Sequence, residues 1–192
     1  MNKKESKKSL LEKLYEPYIK CLSCPLGFLG RKQVVFGAGN PDAEFMIIGE
    51  APGKDEDEKG IPFVGRSGKF LTNILSSLGI KRENIFITNS VKCRPPENRK
   101  PKPIEVDTCK NILLFNQIDI IKPKVICTLG SSSLEALLEK SIKISEIHGS
   151  LLFFNSSTVI PTYHPAYVMR NKKMLPFFIE DIQRAYSLCN KK

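Results

Sequence analysis

Strand-like and helix-like segments alternate through the middle of this 192-residue chain. That alternation predicts an α/β fold with a mainly parallel sheet covered on both faces. Three short apolar runs carry the prediction: EFMIIG at 44–49, NIFITNS at 84–90 and KVICTL at 124–129. Strands buried on both faces read as unbroken apolar runs rather than as alternation. The helices follow from a different period. Residues 68–78 place Phe70, Leu71, Ile74, Leu75 and Leu78 on one face, and Pro103 stands at the first turn of a helix running to about Ile121. Gly130 and three serines open a helix near 131–139. Residues 3–20 read as a leading helix, and 174–189 as a closing one. Between them, 150–154 and 157–161 read as two short strands with a turn at Asn155-Ser156.

A chain of this length fits one domain, residues 1–192, with a full hydrophobic core. No apolar run approaches the roughly 20 residues of a membrane helix, and the charged N-terminus lacks the apolar stretch of a signal peptide. A cytoplasmic protein without membrane contact is the expectation. Thirty Lys and Arg stand against 20 Asp and Glu, a net charge of +10. Such an excess favours a polyanionic partner, because phosphate contacts dominate non-specific nucleic-acid binding.

Six cysteines in a cytoplasmic protein point away from disulfides. Cys21 and Cys24 form a CxxC in CLSCPLG; Cys93 follows the second strand, and Cys109 lies in the helix after it. Four thiolates suit Zn²⁺ or an iron–sulfur cluster. Zinc ribbons usually supply two CxxC knuckles and this chain has one, which tilts the reading towards iron–sulfur. The plain alternative makes Cys93 and Cys109 ordinary buried thiols. Cys127 reads as a core residue and Cys189 as incidental.

In open parallel sheets, ligands sit beyond the carboxyl ends of the strands. Three strands end in residues able to do chemistry. The first runs into GEAPG, where Gly49, Pro52 and Gly53 permit a tight turn and close backbone approach, with Glu50 at the strand end. Asp55, Glu56, Asp57 and Glu58 follow, a solvated acidic loop on the plain reading. Next to Phe63 and a glycine-flanked helix start at Gly65–Gly68, they could instead stabilise positive charge, position water or hold a metal. Asn89 ends the second strand; a buried amide there must find partners, and it carries both a donor and an acceptor. His164, in PTYHP, is locked by Pro165 after the last strand, while His148 reads as a turn residue. Arg66 and Arg170 are expected contacts to phosphates of a polyanionic partner.

Taken together, GEAPGKDEDEKGIPFVGRSGKFL, TNSVKCRPPENRKP and YHPAYVMR resemble the motifs of the family 4, or type-A, uracil-DNA glycosylases, the iron–sulfur branch of their superfamily. The resemblance runs from Cys21 to Arg170. It implies a three-layer α/β/α sandwich around a short four-stranded parallel sheet. It also implies hydrolysis of the N-glycosidic bond of uracil in single- or double-stranded DNA, by a monomer that forms no Schiff base. It places Cys21, Cys24, Cys93 and Cys109 on a 4Fe–4S cluster of structural role, with zinc as the alternative occupant. Gly49, Glu50, Ala51 and Pro52 would lie against uracil, Phe63 would stack on it, and Asn89 would read its polar edge. His164 would stabilise the departing anion, and Arg170 would lie near the minor groove. Ala51 and Gly53 stand where better-known relatives carry an aspartate and a tyrosine, which leaves water activation to Glu50 or Glu56. Three rivals remain at this level: a nucleic-acid-binding iron–sulfur or zinc module without catalysis, a Mg²⁺ phosphohydrolase using Asp55, Glu56 and Asp57, and, weakest, a redox carrier.

Overall fold

The computed structural model describes residues 5–140 and 142–189. The first helix, α1 (Lys7–Tyr15), is shorter than expected, and residues 3 and 4 of the expected span lie outside the described residues. The Ser6 hydroxyl caps it by accepting from the Ser9 N–H at 3.2 Å. The chain then tightens into a 3-10 turn, Glu16–Tyr18, where Pro17 offers no N–H.

The strands β1 (Ala38–Gly39), β2 (Phe45–Gly49), β3 (Phe86–Asn89), β4 (Val125–Leu129), β5 (Leu152–Phe154) and β6 (Ser157–Thr162) form one sheet in the order β1-β3-β2-β4-β6-β5. The inner four pair in parallel, and β1 and β5 add antiparallel edges. The expected four-stranded parallel sheet is therefore the core of a six-stranded one. Sequence reading missed β1 because GAGNP reads as a turn. Its two residues pair only through backbone, and a Cβ on Gly39 would collide with the Ile85 carbonyl.

Alternate residues of the strands feed two layers. Phe45, Ile47, Ile87, Val125, Cys127 and Ile160 pack on one face beneath α3 (Arg66–Ser77), α8 (Pro165–Arg170) and α9 (Leu175–Cys189). Met46, Ile48, Phe86, Ile126 and Val159 pack on the other, beneath α1, α5 (Phe115–Ile121) and α6 (Ser131–Leu138). The result is the expected α/β/α layering. Pro103 opens α4 (Pro103–Cys109), which continues through a π turn, Lys110–Leu114, into α5. Cys189, expected to be incidental, is buried with Cys127 in the first layer. The acidic run forms a short helix, α2 (Lys54–Lys59), rather than a loop: three acids in its first turn complement the helix dipole, and Gly60 ends it in the left-handed conformation. No helix among the described residues is long and apolar enough to cross a membrane.

Ile47 is fully buried at the centre of β2. Ile47→Ala is expected to lower the unfolding free energy by about 3 kcal/mol, read from the midpoint of urea denaturation.

Candidate active site

The parallel register of β2 and β3 sets Gly49 directly beside Asn89 at the carboxyl end of the sheet. The pairing continues past the strands, with the Ser90 N–H donating to Gly49 O at 2.8 Å and the Val91 N–H to Glu50 O at 3.1 Å. Glycine is required at 49, because a Cβ there would overlap both the Asn89 Oδ1 and the ring of Phe63. Its absence lets an amide and an aromatic ring share one point. Asn89 is 1% exposed and its Oδ1 has no hydrogen-bond partner. A buried polar atom left unpaired costs about 1–3 kcal/mol, so such an atom at a cleft wall marks a place where a ligand donor fits.

Phe63 is held there by a strained turn. Its φ of 53° is left-handed, unusual for an aromatic residue. Arg82 clamps that turn by donating to Pro62 O at 2.8 Å, Phe63 O at 2.9 Å and Thr72 Oγ1 at 2.9 Å. Gly68 lets the first turn of α3 sit against the Phe63 carbonyl. Glu56 supplies the other half of the lock. Its carboxylate accepts the N–H groups of Gly53 at 3.1 Å, Val64 at 2.9 Å and Gly65 at 2.7 Å, joining the GEAPG turn to the Phe63 turn. Asp57 turns the opposite way and accepts from the Lys32 N–H at 3.0 Å. The acidic run therefore divides between two backbone segments instead of forming one carboxylate cluster.

His164 caps α8, its Nδ1 accepting the Ala166 N–H at 3.2 Å. Burial, reinforced by the positive charge of Arg170, pushes its pKa down to about 4. The ring is neutral, and with Nδ1 accepting it carries its proton on Nε2. The ring centroid lies 6.3 Å from that of Phe63.

These groups line a cleft of about 500 Å³. It brings together Glu50, Ala51, Pro52, Glu56, Phe63, Asn89, His164 and Arg170 of the expected set. Gly49 lies beneath the Asn89 amide and the Phe63 ring. Arg66 lies instead in an adjoining groove of about 420 Å³, shared with Lys54 and Arg170. Sequence reading missed Ser67, Pro95, Asn98, Arg99 and Ala166 on the cleft wall. One signal was available: Pro95, Asn98 and Arg99 belong to the proline-rich loop after β3, the strand that ends in Asn89. Glu97 and Asn98 both take left-handed backbone there, and Arg94 donates to Asn98 Oδ1 at 2.8 Å. Arg99, on the same wall, is anchored by a bidentate pair with the fully buried Glu105, at 2.7 and 2.8 Å.

Cys21, Cys24, Cys93 and Cys109 gather in one apolar cluster with Leu26, Val34, Val91 and Leu113, built in part by the segment that follows β3. Gly27 folds the CxxC loop tightly; a Cβ on it would lie 2.7 Å from Cys21 O, and Arg31 fastens the loop by donating to Cys21 O at 2.6 Å. Burial pushes the Cys93 thiol up to about 12 and the Cys109 thiol up to about 11, and the neighbouring thiols add to both shifts. A cation would offset the charge of thiolates at Cys93 and Cys109, the chemistry of a thiolate metal centre. Among the described residues, no group of three or more His, Cys, Asp or Glu side chains is disposed as a preformed metal site.

Removing the Glu56 carboxylate leaves three N–H groups unmet. Glu56→Ala is expected to lower the unfolding free energy by about 3 kcal/mol in denaturant titration.

A profile of the uracil DNA glycosylase superfamily matches residues 36–186. Three similar proteins are named type-4 uracil-DNA glycosylase. That of Thermotoga maritima is 42% identical over 190 residues, covering 97% of this chain and 98% of the relative. That of Sulfurisphaera tokodaii is 41% identical, covering 93% and 84%. That of Pyrobaculum aerophilum is 43% identical, covering 90% and 91%. With the α/β/α layering and the motif-bearing cleft at the carboxyl end of the sheet, these matches place the chain in one family: it belongs to the uracil DNA glycosylase superfamily.

Proposed function

We propose that this chain is a monofunctional uracil-DNA glycosylase, which flips uracil out of single- or double-stranded DNA and hydrolyses its N-glycosidic bond to leave an abasic site. The observation that carries the reading is the buried, unpartnered Oδ1 of Asn89 in a cleft shared with Phe63 and a neutral His164. A flipped uracil offers that site a ring face for Phe63 and an N3–H with flanking oxygens for Asn89. Cytosine presents a different donor and acceptor order at the same edge, so one amide can separate the two bases.

Cleavage breaks the bond between C1′ and N1, leaves positive charge on the sugar, and carries the electron pair onto uracil. In this reading the Nε2–H of the neutral His164 donates to the uracil oxygen that gains charge. Water then adds to C1′, and the proton it loses passes to the uracil anion, so that neutral uracil and an abasic sugar leave. Glu50 lines the cleft and carries the role of orienting that water, because the Glu56 oxygens are taken up by three backbone N–H groups. Glu56 acts by fixing the turn beneath the base. Lys54, Arg66 and Arg170 along the adjoining groove suit the phosphates beside the flipped nucleotide. Cys21, Cys24, Cys93 and Cys109 would hold a 4Fe–4S cluster, which would tie the CxxC loop and α4 to the segment after β3.

The test is a uracil-containing oligonucleotide, single- and double-stranded. Abasic sites are expected, and chelation of divalent cations is expected to leave the rate unchanged. A protein that only bound nucleic acid would leave none. His164→Ala, with fold retained, is expected to lower kcat by about 100-fold or more.

The pH dependence has a definite sign. The pKa of His164 is depressed in the folded protein from an ordinary value of 6.5 to about 4. Its contribution to stability is present above about pH 6.5 and is lost as the pH falls towards 4. The donor form persists across the same interval. An NMR titration of His164 is therefore expected to be flat between pH 8 and 5; an inflection near 6.5 would overturn the neutral-donor assignment.

A further inference from the structure

Lys92 is fully buried, yet it stands one residue before Cys93 at the edge of the cysteine cluster. Its Nζ is held by neutral oxygens. It curls back to donate to Asn89 O at 2.7 Å and to Thr88 Oγ1 at 2.6 Å. Thr88 is itself set by Phe36 O at 2.9 Å and Gln117 Oε1 at 3.3 Å. The backbone of Lys92 faces the other way: its N–H donates to Cys109 Sγ at 3.3 Å, and its carbonyl accepts the Val35 N–H at 2.7 Å. One residue thus grips the carbonyl of Asn89 with its side chain and the cysteine cluster with its main chain.

Burying a lysine is costly, and an alkyl side chain would fill the same space without that cost. What Nζ adds here is a donor aimed at the last residue of β3. The Asn89 amide sits in a space that admits no Cβ at Gly49, so a small rotation of the Asn89 backbone would drive it into Phe63 or out of the cleft.

We propose that Lys92 is a positioning residue for base recognition: its donor to Asn89 O fixes the angle at which the Asn89 amide meets the base. The proposal rests on the reading of Asn89 as the residue that contacts uracil.

The test uses the full-length protein and the variants Lys92→Met, Asn89→Ala and the double variant. Lys92→Met keeps the volume and removes the donor. It is expected to retain the far-UV circular dichroism and the affinity for a non-cleavable duplex. It should lower kcat by about tenfold and weaken inhibition by free uracil by a similar factor, the scale of one hydrogen bond. A residue that served stability alone would change the melting temperature without moving the inhibition constant. If Lys92 acts through Asn89, the double variant is no slower than Asn89→Ala. Losses that multiply in the double variant would overturn the proposal, as would wild-type kcat and uracil inhibition in Lys92→Met. Should Lys92→Met fail to fold, Lys92→Gln keeps a donor on a shorter chain; its activity is expected between wild type and Asn89→Ala, with no added loss in the Asn89→Ala background, and multiplied losses there overturn the proposal. Asn89→Ala at wild-type rate would instead remove the reading of Asn89 and this proposal with it.

Discussion

The pairing of Gly49 with Asn89 at the ends of two parallel strands is the constraint on which the site depends. A side chain at 49 would occupy the place where the Asn89 amide and the Phe63 ring meet. Register decides which residue of β3 faces the glycine, and a slip of one residue would turn the amide to the other face of the sheet. The same pairing fixes the register by burial: Met46 and Ile48 face one layer while Phe45 and Ile47 face the other. Core and cleft therefore enforce one alignment. A sequence that packs its two layers correctly has already placed Asn89.

Around that point the molecule uses charged side chains to shape backbone rather than to pair on the surface. Glu56 collects three N–H groups, Arg82 collects two carbonyls and a hydroxyl, and Glu105 holds Arg99 and the Lys102 N–H. The guanidinium of Arg99 keeps the Glu105 carboxyl below its ordinary range. Buried ionic contacts of this kind give modest net stability and strong specificity of conformation, because each unmet partner is expensive. Specificity is what this cleft needs, with Phe63, Glu97 and Asn98 all in left-handed backbone around it. The cysteine cluster belongs to the same scheme, lying where the CxxC loop, α4 and the segment after β3 meet.

Much of this was legible in the chain. The apolar runs at 44–49, 84–90 and 124–129 announced strands buried on both faces, and the 3.6-residue period announced α3 and α9. Glu50, Asn89 and His164 stood out because each follows a strand whose end must face a crevice. Other features were hidden for physical reasons. The strand β1 has two residues and no side-chain pattern. The run at 54–59 looked like a solvated loop, because periodicity cannot distinguish a short acidic helix from a coil. Lys92 has no signal in the sequence beyond its type, since composition cannot tell a solvated lysine from one bent back onto its own backbone.

By itself the sequence determined the layered α/β plan, the strands whose ends bear the reactive residues, and the likeness to one glycosylase family. These follow from local hydrophobic period and from the order of motifs, which are written along the chain. Only the tertiary structure decided what each polar group does. It turned Glu56 into a backbone clamp, left Asn89 Oδ1 without a partner, set the proton of His164 on Nε2 and brought Lys92 to the back of Asn89. The role of a carboxylate, an imidazole or an ammonium is set by the few groups within about 3 Å of it. Those neighbours come from distant parts of the chain and exist only once the layers have closed.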